Sequence, residues 1–251
     1  MEDWERRLYD SYISSGTTSA DLTRRNVGLA DRLPYAVSLI KTHLPRTKSI
    51  AIVDLGCGRG DLLYCLKELG YSNVRGVDIS PDQVRVARKL GLEVECQEIG
   101  SFLRDKANHF DVVFLMDVLE HFGQREVLTL LDQVQRAMAT GGLLLIHVPN
   151  AEGAFGMRVR YGDLTHKTAF TPQSIRQALN VCGFSEIECH EDKPIVHGLA
   201  SLLRYVLWQC LTVPIRLLLS AETGATKHIL SQNMTVTAKK TSQSAFRDGR
   251  R

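Results

Sequence analysis

Residues 53–60 read Val53-Asp54-Leu55-Gly56-Cys57-Gly58-Arg59-Gly60, and this stretch decides the fold. A β-branched apolar run ends in a glycine-rich turn, and residues 61–69 continue with helical spacing. Such a turn lets a ligand approach bare backbone at the start of a helix. The last glycine of the G-x-G-x-x-G dinucleotide pattern is missing, because Asp61 occupies its position. The turn therefore predicts a β-α-β ligand site and argues against nicotinamide or flavin binding.

Further strand-like segments follow this turn, and helical stretches separate most of them. With the first strand included, the segments are 50–54, 74–78, 93–97, 112–116, 143–148, 184–190 and 228–239. Strands that alternate with helices form a parallel sheet covered on both faces. We therefore predict an α/β fold with a Rossmann-like, doubly wound, seven-stranded and mostly parallel sheet. The late strands add an antiparallel edge strand, and an apolar helical insert precedes the last strand.

Composition and charge exclude several classes of protein. With 44% hydrophobic residues, 24% charged residues and a net charge of +3, the chain is typical of a soluble protein, and we expect no nucleic-acid partner. The six cysteines form no Cys-x-x-Cys pair, so we expect reduced thiols instead of a disulfide framework or a zinc site. The acidic start Met1-Glu2-Asp3-Trp4-Glu5 does not resemble a secretory signal. A cytoplasmic location is expected.

The chain divides into three parts in this interpretation. Residues 1–46 are an N-terminal helical lid segment, residues 47–240 are the main domain, and residues 241–251 are a flexible tail. The main domain carries the apolar helical insert at about 195–226.

The centre of the insert, residues 198–220, is the most apolar part of the chain. Arg204, Pro214 and Arg216 interrupt it, so we expect a pair of apolar helices that does not span a membrane. Three uses remain open: peripheral contact with a membrane, a homodimer interface, or a helical cap on the core.

Two aspartates stand at the carboxyl ends of the first two strands. Asp78, in Gly76-Val77-Asp78-Ile79-Ser80, ends the second strand beside the glycine turn, where a carboxylate can accept both hydroxyls of a ribose. Asp54 precedes the glycines and either holds the turn or receives an ammonium group, because a buried carboxylate without a partner is costly.

Three motifs in this order resemble the class I S-adenosylmethionine-dependent methyltransferases. They are Asp54-Leu55-Gly56-Cys57-Gly58-Arg59-Gly60, Val77-Asp78-Ile79-Ser80, and Asp111-Val112-Val113 leading into Asp117-Val118-Leu119-Glu120-His121. The resemblance covers residues 50–149 and implies S-adenosyl-L-methionine as cofactor and S-adenosyl-L-homocysteine as product. The acid that many relatives carry after the third strand is absent, since Glu98-Ile99-Gly100-Ser101 stands there.

The resemblance also implies a set of cofactor-binding residues. The glycines would lie under the methionine portion, Asp78 would bind the ribose hydroxyls, and the end of the fourth strand would face the sulfonium. Ile79 would pack on adenine, with backbone amides and Ser101 in place of the missing acid. The full set is Tyr12, Asp54, Gly56, Gly58, Asp78, Ile79, Ile99, Ser101, Met116 and Asp117. Tyr12 is included because its segment resembles the opening of glycan-associated methyltransferases, where it folds over the cofactor.

Methyl transfer to a hydroxyl needs a group that removes the hydroxyl proton, and histidine suits this role. His121 follows the fourth strand and His166 follows the fifth, so both are expected at the ligand-binding edge. His121 alternatively supports the start of a helix. His166 lies in a long polar loop of a kind that is often functional, and it is the favoured base. The other histidines, His147 among them, are interpreted as structural or solvent-facing.

The stretch from Thr165-His166 to Phe170-Thr171-Pro172 is similar to that of ubiquinone-biosynthesis and surface-glycan O-methyltransferases. This similarity implies O-methylation of a hydroxyl on a glycan, glycolipid or other small acceptor. It also suggests a divalent metal ion as an option, because Asp117, Glu120 and His121 can share one helical face and bind it together. We do not favour the metal, because acids at a helix start are also stabilised by the helix dipole.

Two other functions stay open at this point. The first is N- or C-methylation of a small molecule, which needs no strong base. The second is a non-catalytic methyltransferase-like module that binds partners through the apolar insert.

Overall fold

Seven strands form one sheet, in an order that places the carboxyl ends of β1 and β4 side by side. The structure is a computed structural model that describes residues 3–11 and 29–241. The strands are β1 (Ile52–Leu55), β2 (Val74–Asp78), β3 (Val94–Cys96), β4 (Phe110–Met116), β5 (Met138–Pro149), β6 (Phe184–Glu191) and β7 (Asn233–Lys240). Their order across the sheet is β3-β2-β1-β4-β5-β7-β6. The predicted seven-stranded, mostly parallel sheet is confirmed.

The antiparallel part of the sheet is formed by β7. It pairs antiparallel with β5 on one side and with β6 on the other, whereas β1 to β5 pair in parallel. The last strand in the sequence therefore lies inside the sheet, and β6 forms the outer edge. The long connection between β6 and β7 makes this return possible.

Helices cover both faces of the sheet, as a doubly wound fold requires. They are α1 (Asp3–Asp10), α2 (Leu29–His43), α3 (Asp61–Glu68), α4 (Pro81–Lys89), α5 (Ile99–Leu103), α6 (Gln124–Ala137), α7 (Gly156–Arg160), α8 (Pro172–Val181) and α9 (Leu199–Thr223). The core on one face is built with α2, α3 and α4, and that on the other face with α5, α6 and α8. The cleft of such a fold lies where the chain changes direction, outside the carboxyl ends of β1 and β4.

Helix starts follow the signals that the sequence carries. Pro81 and Pro172 stand at the first position of α4 and α8, where a missing N–H costs nothing. Thr171 Oγ1 accepts a hydrogen bond from Ser174 N at 3.1 Å, which caps α8. These signals fix the residues at which α4 and α8 begin after the loops at the carboxyl edge of the sheet.

The apolar insert is a single helix and not the expected pair. α9 runs without a break through 25 residues, and Pro214 lies inside it. A proline removes one backbone donor but need not end a helix, so Pro214 did not justify the prediction of two helices. The described part of the chain has one helix that is long and apolar enough to cross a membrane, and it is α9.

Candidate active site

A cleft of about 1230 Å³ opens at the carboxyl edge of the sheet. Its walls come from the glycine turn after β1, the ends of β2 and β4, the loop after β5, and residues of α1 and α2. Pockets for small ligands usually measure roughly 300–1,000 Å³. The cleft is therefore large enough for a nucleotide-sized cofactor together with a small acceptor.

The glycine turn forms the floor of the cleft beside β1. Gly56 has a φ of +76°, and a Cβ added there would lie 2.6 Å from Val118 Cγ2. The amides of Gly56 and Cys57 both donate to the Val77 carbonyl, at 2.8 and 3.0 Å. Only glycine allows this close approach, so the turn keeps bare backbone under whatever the cleft binds.

Asp78 closes the end of β2 and is fixed by two backbone amides. Its Oδ2 accepts from Gly58 N at 2.7 Å, and its Oδ1 accepts from Ser80 N at 2.8 Å. Burial raises the pKa of this carboxyl, and the amide hydrogen bonds oppose that effect. A carboxylate has about four lone-pair sites. Acceptor positions are therefore left for hydroxyl groups in the cleft.

Asp54 is a buried carboxyl with an unsatisfied oxygen. Its side chain is 2% exposed, and Oδ1 has no hydrogen-bond partner. Burial, with smaller contributions from Asp78 and Asp61, raises its pKa to about 8. The turn amides of Gly56 and Cys57 are already taken by Val77. A donor or cation in the cleft would satisfy Oδ1.

Several apolar residues line the cleft. Among them are Ile79, Ile99 and Met116, which were named as cofactor-binding from the sequence, and Gly100 lies beside them in the lining. Ser101 does not line the cleft and is exposed on α5. The helix turns its side chain outward, which the sequence alone did not reveal.

His121 and His166 lie together in the wall of the cleft. Their ring centroids are 4.8 Å apart in an edge-to-face arrangement. His121 Nδ1 is 2.8 Å from Thr165 Oγ1, which donates to Asp163 Oδ1 at 2.6 Å. Because the threonine proton is used on Asp163, these bonds assign the His121 proton to Nδ1 and leave Nε2 as an acceptor. Burial, reinforced by His166, lowers the pKa of His121 to about 4.

His166 is oriented by the backbone. Its Nδ1 lies 3.1 Å from the Val159 carbonyl, which can only accept. This contact assigns the proton to Nδ1 and leaves the Nε2 lone pair available. The two histidines predicted from the sequence are therefore neighbours with the same tautomer.

Among the described residues, a possible metal-binding group overlaps the set that the sequence raised without favouring it. Asp117 lies before the short 3-10 turn Leu119–His121, and its Oδ1 contacts His147. Glu120, His121 and His166 instead offer ligand atoms that all lie within 4.8 Å of one another. Glu120 is 1% exposed, and its Oε2 has no hydrogen-bond partner.

His147 lines the cleft, a position that was not predicted from the sequence. Its Nδ1 lies 2.5 Å from Asp117 Oδ1, and its Nε2 lies 2.6 Å from Asp192 Oδ2. Burial lowers its pKa, but these carboxylates outweigh burial and hold the pKa well above its usual value. The Tyr35 ring is tilted by 59° against the imidazole, with the ring centroids 5.6 Å apart, and its hydroxyl lies 2.6 Å from Thr235 Oγ1. The available signal was a lone ionisable side chain inside the apolar strand β5.

The N-terminal segment reaches the cleft through Tyr9. Its carbonyl accepts a hydrogen bond from Ser80 Oγ at 3.1 Å, and its ring centroid lies 6.0 Å from that of His121. Glu5 Oε1 of the same helix pairs with Lys167 Nζ at 2.8 Å. Tyr12, which was predicted from the sequence, lies outside the described residues.

Residues 27–188 match the sequence model of a family described as a methyltransferase domain. The chain is 30% identical over 92 residues to the mitochondrial ubiquinone biosynthesis O-methyltransferase of Saccharomyces cerevisiae, covering 33% of this chain and 28% of that protein. It is 28% identical over 131 residues to the ubiquinone biosynthesis O-methyltransferase of a Chelativorans species, covering 47% of this chain and 51% of that protein. The chain thus spans about half, or less, of the length of these curated relatives.

A solved structure with a similar fold is a SAM-dependent methyltransferase from Archaeoglobus fulgidus. The TM-score is 0.62 at 21% sequence identity, over 82% of this chain and 93% of that chain. At this identity the likeness concerns the fold alone.

Proposed function

The chain belongs to the methyltransferase-domain family, and from this premise we propose that it transfers a methyl group to a hydroxyl of a glycan, glycolipid or other small acceptor. S-adenosyl-L-methionine is the cofactor, and S-adenosyl-L-homocysteine is its product. The observation that carries the proposal is the neighbouring pair of histidines, His121 and His166, on the wall of the cleft.

The described residues of the cleft fit this cofactor. Asp54 Oδ1, buried and without a partner, would accept a hydrogen bond from the ammonium of the methionine portion. Asp78 would accept the ribose hydroxyls, and Ile79 would pack against adenine. Gly56 keeps the space above the turn open, because any side chain there would overlap Val118. Met116 and Asp117 end β4 beside the expected position of the sulfonium.

His166 is proposed as the general base. The acceptor oxygen attacks the methyl carbon, the carbon–sulfur bond breaks, and its electron pair goes to sulfur. The hydroxyl proton passes to His166 Nε2, whose lone pair is available because Nδ1 faces the Val159 carbonyl. The protein chiefly aligns the two reactants and removes this proton.

His121 is proposed as a positioning residue beside the base. Its pKa of about 4 keeps it neutral at physiological pH, so it does not repel a proton arriving on His166. Thr165 and Asp163 hold its ring, and its edge-to-face contact fixes the orientation of His166.

Replacing His166 tests the proposal. We expect His166→Ala to lower the rate with a hydroxyl acceptor by about 10²-fold, the usual contribution of a general base, without changing cofactor affinity. The rate is read as release of S-adenosylhomocysteine in a screen of hydroxylated sugars and quinol precursors, and the affinity by calorimetry. Asn180→Ala, an exposed position on α8, is the matched control. A near-normal rate for His166→Ala would exclude the general base. Failure of the wild-type protein to bind the cofactor would instead favour a non-catalytic module.

An amine acceptor is the second candidate, and the charge of the cleft favours it. Acidic residues outnumber Lys and Arg along its walls, which attracts cationic ligands. The acidic residues are Glu5, Asp54, Asp61, Asp78, Glu98, Asp117, Glu120, Glu126, Asp163 and Asp192, and the basic ones are Arg59, Arg125 and Lys167. An amine that is neutral at the pH of the assay needs no strong base. The two candidates therefore separate in the His166→Ala variant, which would keep its N-methylation rate at a pH above the pKa of the amine.

A divalent cation also fits the described residues. Glu120, His121 and His166 would hold it, and Glu120 Oε2 has no other partner. Such a cation would polarise the acceptor hydroxyl and lower its pKa. Activity that survives exhaustive dialysis against EDTA would leave His166 as the base, whereas loss and recovery with added metal would assign all three side chains to the ion.

A further inference from the structure

Helix α9 leaves most of its apolar surface uncovered. The exposed fractions of its large apolar side chains range from 40% to 88%. These side chains are Leu199, Leu202, Leu203, Val206, Leu207, Leu211, Val213, Ile215, Leu217 and Leu218. A soluble monomer rarely exposes an apolar patch of this extent without using it for binding.

The side chains that α9 does bury are polar. Ser201 is 6% exposed and Thr212 is 3% exposed, although leucines close to each of them are open to the surroundings. Arg216 lies on the same side, donating to Thr212 Oγ1 at 2.8 Å and to Glu191 Oε2 at 2.6 Å. A helix on the surface of a protein in water normally buries its apolar stripe. In α9 the buried side chains are polar and the large apolar ones face outward. This arrangement is stable where the outer face meets an apolar medium.

Charged residues are few in the insert and mostly basic. Residues 195–226 contain Arg204, Arg216 and one acid, Glu222, and Lys193 precedes them. Arg216 is paired with Glu191, whereas Arg204 is exposed among the leucines. A long basic side chain in an apolar face can extend its charge to the headgroup layer of a membrane.

A second apolar and basic patch lies around α7. Phe155, Met157, Tyr161 and Leu164 are between 46% and 80% exposed. The same segment, 155–164, includes Arg158 and Arg160. Aromatic, aliphatic and basic side chains in one exposed segment are typical of peripheral membrane contacts.

Both patches arise at the edge of the sheet where the cleft opens. α7 follows the carboxyl end of β5, and α9 follows the carboxyl end of β6, which runs in the same direction. The loop that leads to α7 is joined to the segment between α9 and β7, because Asn150 Nδ2 donates to the carbonyls of Ile229 and Ser231, at 2.8 and 3.0 Å. The loop that carries α7 also carries His166, which lines the cleft.

We propose that α9 and segment 155–164 dock the protein on an anionic phospholipid bilayer, with the cleft edge of the sheet against the membrane. A second copy of the chain would cover one stripe of α9, whereas its exposed leucines cover about half of the helix circumference along nearly its whole length. The small excess of basic over acidic residues in the insert and in segment 155–164 matches an anionic surface. Arg216 ties the polar face of α9 to β6, so the helix lies beside the domain with its apolar face toward the lipid.

Docking in this orientation has a consequence for the acceptor. An amphipathic molecule in the bilayer could present its polar group to His166 without leaving the membrane. This consequence depends on the proposed methyl transfer, whereas the docking itself does not.

Flotation with vesicles tests the docking. The full chain is mixed with vesicles of phosphatidylcholine, with or without phosphatidylserine, and centrifuged through a density gradient, in which bound protein rises and aggregates sink. We expect the wild-type protein to float with the vesicles that contain phosphatidylserine. Leu203→Glu/Leu207→Glu should lower the bound fraction by about tenfold or more, because two apolar side chains would no longer enter the lipid.

A charge-matched control carries the same change elsewhere on the surface. Leu128→Glu/Val181→Glu alters exposed residues of α6 and α8 and should float like the wild type. Wild-type protein that stays at the bottom with both vesicles would overturn the proposal, as would an α9 variant that floats normally. A wild-type dimer that the α9 variant converts to monomer, without vesicle binding, would assign the helix to a second copy. Calorimetry with S-adenosylmethionine on the same samples checks folding and reports separately on the proposed function.

Discussion

Asp54 shows how burial prepares a single residue for its ligand. Without a cation nearby, burial and the neighbouring acids hold the pKa of its carboxyl at about 8, so it is mostly protonated at neutral pH. An ammonium group at Oδ1 would favour the charged form and lower this pKa. Binding of the cofactor is then coupled to loss of the carboxyl proton.

We expect cofactor binding at pH 7 to release close to one proton from Asp54, and cofactor affinity to rise with pH up to about 8. The measurement is calorimetry in two buffers that differ in ionisation enthalpy. The Asp54→Asn variant keeps the shape of the side chain but cannot ionise, so its binding enthalpy should not carry this dependence on buffer. Equal proton release by the two proteins would remove Asp54 from the ammonium site.

At the scale of elements, the turn between β1 and α3 is constrained both by its backbone conformation and by packing. Gly60 has a φ of +86° where α3 begins, and a Cβ added there would overlap Leu92 Cδ1 and lie 3.3 Å from Ala87 Cβ. Gly70 has a φ of +88°, but no atom lies within 4 Å of the position of its missing Cβ. Substitution of Gly70 by alanine therefore introduces backbone strain alone, whereas substitution of Gly60 introduces backbone strain and a steric overlap.

We expect Gly60→Ala to lower the free energy of unfolding by about 2–4 kcal/mol, because left-handed strain and overpacking add. Gly70→Ala should cost only about 1–2 kcal/mol, since it has the strain without the overlap. Urea unfolding followed by circular dichroism gives both values. Equal losses would mean that Leu92 moves aside at little cost.

At the scale of the whole molecule, the pKa of His121 links stability to pH. Its folded-state pKa of about 4 lies below the usual value of 6.5. The unfolded chain therefore takes up the proton first, so this stability is present above pH 6.5 and is lost as the pH falls toward 4. His147, whose pKa is raised, acts in the opposite direction, and its contribution is lost as the pH rises.

Comparison with His121→Gln isolates the contribution of His121. We expect the free energy of unfolding of the wild-type protein to fall by about 2 kcal/mol more than that of the variant between pH 7 and pH 5. Other groups that titrate in this range act on both proteins and cancel in the difference. Parallel pH profiles of the two proteins would contradict the depressed pKa.

Much of the fold could be predicted because its signals are local. The β1 turn, the strand β2 over Val74–Asp78, and the proline starts of α4 and α8 all follow from neighbouring residues. The end of α9 and its continuity through Pro214 could not be predicted in this way, since a proline signal has more than one structural outcome.

The residues of the candidate site likewise fall into two groups: those predicted from local sequence and those placed only by tertiary contacts. The glycines, Asp54 and Asp78 by themselves predicted the ligand turn and the cleft edge, because the backbone geometry of a turn depends on neighbouring residues, and the order of the motifs indicated the family by resemblance. Tertiary structure alone brought His121 to His166, placed His147 between Asp117 and Asp192, and turned Ser101 away from the cleft. These contacts join residues that are distant in sequence. The pKa values of His121 and His147 depend on burial, which no local sequence pattern encodes.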